Sequence, residues 1–462
     1  MSKFEDIAER FWKMEREERL LDYDLNGVLI WKLIRIYVFE KLVQKITKTE
    51  IGHPNLKCGL KKRLYEKVLI FNLLCTKNAF FNKKSVKYLV FRHRRRINVD
   101  GKNIEVNTEF IENIIDDINK DNTEFIETGI AFENRNIEQK AQFLLVNPIR
   151  NIVAYYFCKV SYRFRNEYKA IDRINKIIFS YFGIHLDITD MALKNRIGFK
   201  NMYNIFYKYI LLKKPQGIYL VCSYGKEALI KAAFDLNVPV YEIQHGVISK
   251  YHMGYSFPGV GNVPYFPDKI LVYGDYWRTA AEYPIDIENI IATGSPYFEM
   301  QLKKYADISS EKKSIMFISA GDIGKAMSVI ASDFADMKTD YKVYYKLHPS
   351  EFSVWKEIYP ALTGKQRDNL IVIEDEINLY ELFARSSYVI GVNSTAIFES
   401  FVFEPKLILF NRPGVEFMSE LVKNYKIPIV NNAEELITIV SNYPVMKKIK
   451  RDYFYKNISK II

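Results

Sequence analysis

The stretch Val238–Gly246, VPVYEIQHG, decides the fold. Its apolar run through Tyr241 and Ile243 reads as a strand that stops abruptly at Gln244-His245-Gly246. A strand breaking into a polar elbow is how open α/β sheets present ligand-binding groups, because the carboxyl ends of parallel strands open into a crevice. A histidine held there can serve a phosphate, a sugar hydroxyl or a proton transfer, and the glycine beside it permits close backbone approach. Upstream, Ile218–Cys222 reads as a strand, Ser223-Tyr224-Gly225 as a turn and Lys226–Leu236 as a helix. Together they make one βαβ unit, and such units build parallel sheets with right-handed crossovers. Downstream, residues 247–267 form a long loop rich in Gly, Pro, Tyr and Phe, of the kind that is usually functional. The strands Asp268–Tyr273 and Ile290–Thr293 follow.

The second half repeats this logic. Residues 300–313 are charged and read as a linker. The strands Ser314–Ser319, Tyr341–Leu347, Leu370–Ile373, Tyr388–Gly391 and Lys406–Phe410 then come with helices at Leu379–Arg385 and Thr395–Phe403, which predicts a second doubly wound domain. Lys346-Leu347-His348-Pro349 ends one strand, and His348 after Lys346 can donate to a diphosphate. Asn393-Ser394-Thr395 ends another and opens a helix, where a hydroxyl caps the helix and the free N–H groups favour a phosphate. Glu399 lies one turn on, on the same side as Thr395. The loop Ala320–Lys325, with Gly321, reads either as a plain turn or as a phosphate contact, and it lacks P-loop spacing.

In the first half, Ser85–Phe91 reads as a strand leading into Arg92-His93-Arg94-Arg95-Arg96. That cationic run is either a solvated loop or a cleft lining in which Arg92 and Arg94 draw in an anion. Residues 3–22 read as a charged helix. Residues 28–46 read as a helix buried in the first domain, or as an interfacial one that sinks Trp31 and Tyr37 into headgroups. No sustained period emerges over residues 105–215.

At 462 residues the chain predicts more than one core. Its net charge of +12 suits anionic small substrates, an anionic membrane surface or nucleic acid. The absence of zinc spacing, RNP-like strands and basic heptads speaks against nucleic acid. Cys58, Cys75, Cys158 and Cys222 are scattered without a CxxC pair and read as reduced thiols. The charged N-terminus resembles no signal peptide, and no run reaches the ~20 apolar residues of a membrane span. The expected location is the cytoplasm, peripheral on the membrane.

QHG, then KLHP, then NSTxxxES followed by Phe403-Glu404-Pro405-Lys406, resembles bacterial capsule and lipopolysaccharide glycosyltransferases of GT-B architecture over roughly residues 215–412. Gly27-Val28-Leu29-Ile30-Trp31-Lys32-Leu33-Ile34-Arg35 is similar to an N-terminal signature of such enzymes. The resemblance implies two Rossmann-like doubly wound domains facing across a cleft, with a helical N-terminal appendage. It divides the chain into 1–84 (helical), 85–300 (acceptor side), 314–432 (nucleotide-donor side) and 433–462 (a helix crossing back). It implies a sugar transfer from a nucleotide-sugar donor to a glycan or lipid-linked acceptor, without a metal or other cofactor. Lys346, His348, Asn393, Ser394, Thr395 and Gly321 would hold the donor phosphates, and Glu399 the ribose. His245 would act as general base or phosphate contact, with Glu242 as reserve base and Gln244, Gly246, Arg92 and Arg94 lining the cleft. The missing Asp/Glu-Asp-Gly base motif weighs against a sialic acid donor. Polyol-phosphate transfer or UDP-sugar epimerisation on the same fold, and a non-catalytic envelope scaffold, are the competing expectations.

Overall fold

The fold is described from a computed structural model over residues 2–48, 79–93, 96–99, 102–127, 141–143, 164–321, 323–445, 447 and 449–458. The chain divides into two compact units, the first built from Met1–Lys48, Lys57–Pro296 and Lys456–Ile462, the second chiefly from Tyr297–Tyr455.

The first unit contains β1 (Tyr88–Arg92), the hairpin β2 (Arg96–Val99) and β3 (Lys102–Glu105), and β4 (Thr123–Glu127), β5 (Ala141–Phe143), β6 (Gly217–Val221), β7 (Val240–Ile243), β8 (Lys269–Val272) and β9 (Ile290–Ala292). Seven of these strands form one parallel sheet in the order β5-β4-β1-β6-β7-β8-β9. Alternate side chains of a strand serve opposite faces, so each strand feeds two hydrophobic layers. Leu89, Phe91, Leu220 and Val240 pack with Phe206, Tyr209, Leu229 and Ala233, while Val90, Val221, Ile243 and Leu271 pack with Ile111, Ile114, Ile115 and Ile118. Both faces are covered, as a parallel sheet requires. β4 and the long helices Phe164–Phe182 and Thr189–Lys213 lie in the stretch where no period was legible.

The N-terminal helices Lys3–Glu17 and Ile30–Thr47 belong to this unit. Of the two expectations for the second helix, burial is the one the structure has. Ile30, Trp31, Ile34, Val38 and Leu42 are all buried, and Trp31 donates from Nε1 to Glu15 Oε1 at 2.6 Å, so it does not face headgroups. Among the described residues, no helix is long and apolar enough to cross a membrane. Cys222 is a buried free thiol; Cys58, Cys75 and Cys158 lie outside the described residues.

The second unit holds β10 (Glu311–Ile318), β11 (Lys342–Lys346), β12 (Leu370–Ile373), β13 (Ser386–Gly391), β14 (Lys406–Phe410) and β15 (Ile429–Val430). They form a parallel sheet in the order β12-β11-β10-β13-β14-β15. The fold class is therefore the expected α/β one, with two Rossmann-like doubly wound units.

Two boundaries differ from the expectation. The units divide at Pro296/Tyr297 rather than at 300–313, because the helix Pro296–Tyr305 is packed, with Tyr297, Phe298 and Tyr305 buried. The C-terminal stretch is not one helix: it comprises Ala433–Ser441 and Arg451–Phe454, and Pro444 cannot continue the first of these. Only Lys456 onward joins the first unit, where the Lys456 N–H donates to the Tyr273 carbonyl at 2.8 Å.

Candidate functional site

In the first unit the strand order reverses between β1 and β6, whose outer neighbours are β4 and β7. Such a switch point leaves a crevice at the strands' carboxyl ends. Here Arg92 ends β1 and His93 follows it, Cys222 to Glu227 follow β6, and Gln244-His245-Gly246 follows β7. A pocket of about 560 Å³ opens at the ends of β1 and β6, and the helix Thr189–Lys213 forms one wall of it.

His245 is half-buried. Its Nε2 lies 3.0 Å from the Tyr224 hydroxyl and its Nδ1 lies 3.5 Å from the Tyr255 hydroxyl. Tyr255 in turn donates to Glu242 Oε1. That bond uses the Tyr255 proton, so the Tyr255 oxygen faces Nδ1 as an acceptor. The arrangement favours the tautomer with the proton on Nδ1 and leaves Nε2 as the basic nitrogen. Burial pushes the Glu242 carboxyl up, against the opposing pull of Ser223, Tyr255 and Lys226. Burial also pushes the Tyr255 hydroxyl well above its ordinary range, as does the neighbouring Glu242. The His93 ring stands 5.7 Å from the His245 ring, centroid to centroid, and so links the pocket to this cluster.

The other first-unit candidates have mixed placements. Glu242 is fully buried behind Tyr255, so it reaches His245 only through that hydroxyl and is not placed to take a proton from a ligand directly. Gln244 is also fully buried and staples the elbow, donating to the Gly246 carbonyl at 2.9 Å and accepting from the Tyr273 N–H at 2.9 Å. It does not line the pocket. At Gly246 an added Cβ would meet nothing within 4 Å, so no close approach within the chain demands the glycine. Arg92 ends β1, pairs with Glu109 at 3.2 Å and lines the pocket. Arg94 lies outside the described residues.

The N-terminal signature holds this cluster from behind. Glu15 takes Arg35 Nε and Nη2 at 2.7 Å each, together with the Trp31 indole. Arg35 also donates to the carbonyls of Met253 and Ser256, which bracket Tyr255, and stacks on Phe257 at 4.1 Å. Lys32, one residue after Trp31, is buried, which lowers its pKa to about 8 against the pull of Glu227.

In the second unit the order reverses between β10 and β13. Gly321 follows β10, Asn393 to Thr395 follow β13, and Lys346 and His348 follow or end β11. The sequence candidates thus occupy the strand ends at and beside one switch point. Ser394 caps its helix, accepting from the Ala396 N–H at 3.2 Å. His348 is exposed and caps the turn Pro349–Glu351, its Nδ1 accepting the Ser350 N–H at 3.2 Å. In neutral His348 that leaves the ring proton on Nε2, where it can be donated. Lys346 is half-buried, which lowers its pKa, with Asp375, Glu376 and Glu374 opposing. Glu399 accepts from the buried Tyr380 hydroxyl at 2.6 Å, which fixes its carboxylate. Among the described residues, no group of three or more His, Cys, Asp and Glu is placed to hold a metal ion.

A buried network under this site was not legible in the sequence. Glu351 Oε1 accepts from Ser319 at 2.9 Å and Tyr359 at 2.6 Å, its Oε2 accepts the His348 N–H at 2.7 Å, and the Tyr345 hydroxyl donates to the Gly324 carbonyl at 2.9 Å. It ties the Gly321 loop to the His348 turn. A Cβ at Gly324 would overlap the Tyr359 hydroxyl and crowd Glu351. Gly324→Ala should therefore lower stability by about 1–3 kcal/mol, as overpacking does, seen as a lower urea midpoint at unchanged slope. An unchanged midpoint would show that the network yields freely.

No protein-family profile and no curated protein matches the sequence. Among solved structures, the chain is similar to UDP-GlcNAc 2-epimerase from Methanocaldococcus jannaschii, at 12% identity and a TM-score of 0.45 over 80% of this chain and 97% of that one. It is also similar to UDP-GlcNAc 2-epimerase from Neisseria meningitidis bound to UDP-GlcNAc, at 14% identity and a TM-score of 0.45 over 78% and 92%. The wall teichoic acid polymerase TagF gives 11% identity and a TM-score of 0.41 over 83% and 87%. At such scores and identities none of these activities transfers to this chain.

Proposed function

We propose that the chain is a glycosyltransferase that moves a sugar from a nucleotide-sugar donor to a glycan or lipid-linked acceptor of a bacterial surface polysaccharide. The observation that carries this reading is the His245 cluster: a half-buried imidazole at a strand's carboxyl end, oriented through Tyr255 by a buried carboxyl group. A base so oriented suits removal of a proton from a hydroxyl nucleophile. The second unit supplies the complementary feature, with Gly321 and Asn393 to Thr395 at a switch point of the kind that takes nucleotides.

In the proposed reaction the Tyr224 hydroxyl, which donates to His245 Nε2, passes its proton to that nitrogen as it takes the acceptor hydroxyl's proton, while the acceptor oxygen bonds to the anomeric carbon. The bond from that carbon to the donor phosphate breaks, and the nucleotide leaves with the electron pair. Within the second unit, His348 Nε2–H and Lys346 are groups that can meet the charge of a nucleotide phosphate, so the reading needs no metal. Glu399, fixed by Tyr380, takes the ribose hydroxyls. The net charge of +12 suits an anionic donor, an anionic acceptor and an anionic membrane surface alike.

The test is a thermal-shift panel of CMP, CDP, UDP, GDP and TDP, with and without magnesium, on wild type and His348→Ala. One nucleotide should stabilise the wild type without magnesium, by about 2.7 kcal/mol at a hundredfold excess over its Kd, and stabilise His348→Ala less. No shift with any nucleotide would overturn the reading in favour of a scaffold.

A further inference from the structure

We infer that the pocket between the ends of β1 and β6 is a binding site for a phosphate-bearing acceptor with an apolar body. One wall is apolar, made by Leu33, Phe199, Met202 and Phe206. The same space is lined by three cations, Arg92, Lys194 and Lys226, and by one carboxyl group, Glu227. Lys226 is fixed by its bonds to the Val221 and Cys222 carbonyls at 2.6 and 2.9 Å, so it contributes charge without moving.

Two observations point to an occupant. Arg92 is only 9% exposed, yet its Nε has no hydrogen-bond partner within the protein, although Nη2 pairs with Glu109. A buried guanidinium N–H without a partner is costly, and a phosphate oxygen would satisfy it. The second observation is Gly198, inside the helix Thr189–Lys213 on the pocket wall. Glycine is the weakest helix former after proline, and here an added Cβ would meet nothing within 4 Å. Neither backbone conformation nor packing within the chain asks for glycine there, and a larger side chain at this lining position would take up pocket space. The pocket also adjoins His245 through His93, so a ligand seated in it lies beside the candidate base.

The inference rests on reading the first unit as the acceptor side, but its test needs no donor. Binding of farnesyl phosphate, farnesol and glycerol 3-phosphate to the full chain is measured by calorimetry in the absence of nucleotide. Farnesyl phosphate should bind at least about tenfold tighter than farnesol, as a charge-assisted contact implies. Gly198→Phe, which fills the pocket, should weaken it at least tenfold at an unchanged melting temperature, while Gly198→Ala binds normally. Lys194→Glu, at an exposed rim position that keeps the fold safe, should weaken binding about two- to fivefold at low salt. Glycerol 3-phosphate binding as tightly as farnesyl phosphate would overturn the apolar half of the assignment and leave a site for soluble phosphoesters. Equal affinity for farnesol and farnesyl phosphate, or undiminished binding by folded Gly198→Phe, would overturn the assignment. Phosphate binding here without any nucleotide shift would uphold this site and remove the transferase reading alone.

Discussion

His245→Gln should lower the rate of sugar transfer by about 10²–10⁴-fold, the range for loss of a positioned general base, with donor binding unchanged. The size of the effect follows from the geometry. His245 faces Tyr224 through Nε2 and Tyr255 through Nδ1, and only Nε2 lacks a route back to the buried Glu242. Tyr255→Phe separates catalysis from structure. It keeps the ring that packs between Tyr224 and His252 but removes the hydroxyl between Glu242 and His245. Leaving a buried carboxyl group without that donor should cost about 1–3 kcal/mol of stability. It should also change the acid limb of the pH–rate profile, which a merely structural tyrosine would not move. Both readouts use transfer of the sugar whose nucleotide the thermal panel identifies. A His245→Gln enzyme within threefold of wild type would remove His245 from the mechanism.

The largest expected loss of stability is at Arg35. Arg35 and Glu15 are 1% and 3% exposed, and removing one member of so buried a pair leaves an uncompensated charge. Arg35→Met should therefore cost about 3–5 kcal/mol, read from urea unfolding followed by tryptophan fluorescence. The double replacement Arg35→Met/Glu15→Leu should recover only part of that loss, because it removes the uncompensated charge but leaves the Trp31 indole N–H and the Met253 and Ser256 carbonyls without their partners. Activity should not recover with it. Arg35 also holds the carbonyls of Met253 and Ser256, and the double variant has nothing to fix Tyr255 between them. Equal activity in the double variant and wild type would show that the 253–256 turn holds itself. A single Arg35→Met variant within 1 kcal/mol of wild type would show that water reaches Glu15.

The sequence by itself determined the strand ladder. The strands at residues 370–373 and 406–410 and the helix at 379–385 fall where hydrophobic runs and turn residues placed them. Backbone hydrogen bonding and side-chain period are local, and a parallel strand buried on both faces carries its own apolar signature. The same locality placed Gln244-His245-Gly246, His348 and Asn393 to Thr395 at strand ends. It failed over residues 105–215, where β4 is a short strand of mixed polarity one place in from the sheet edge and the helix Thr189–Lys213 has nearly uniform faces, although the helix Phe164–Phe182 carries an amphipathic spacing that could have been read. Only the tertiary structure decided which of those strand-end residues stand open and which are buried supports. Gln244 turned out to be a staple and Glu242 a buried support, because hydrogen-bond partners such as Tyr273 and Tyr255 arrive from elsewhere in the chain. Trp31 and Arg35 are likewise local letters whose meaning comes from Glu15 and the 253–256 turn. The pocket at β1 and β6 is built by residues from 33 to 228, and no window of sequence contains it. Periodicity is written along the chain; burial and partnership are set by which segments the sheet order brings together.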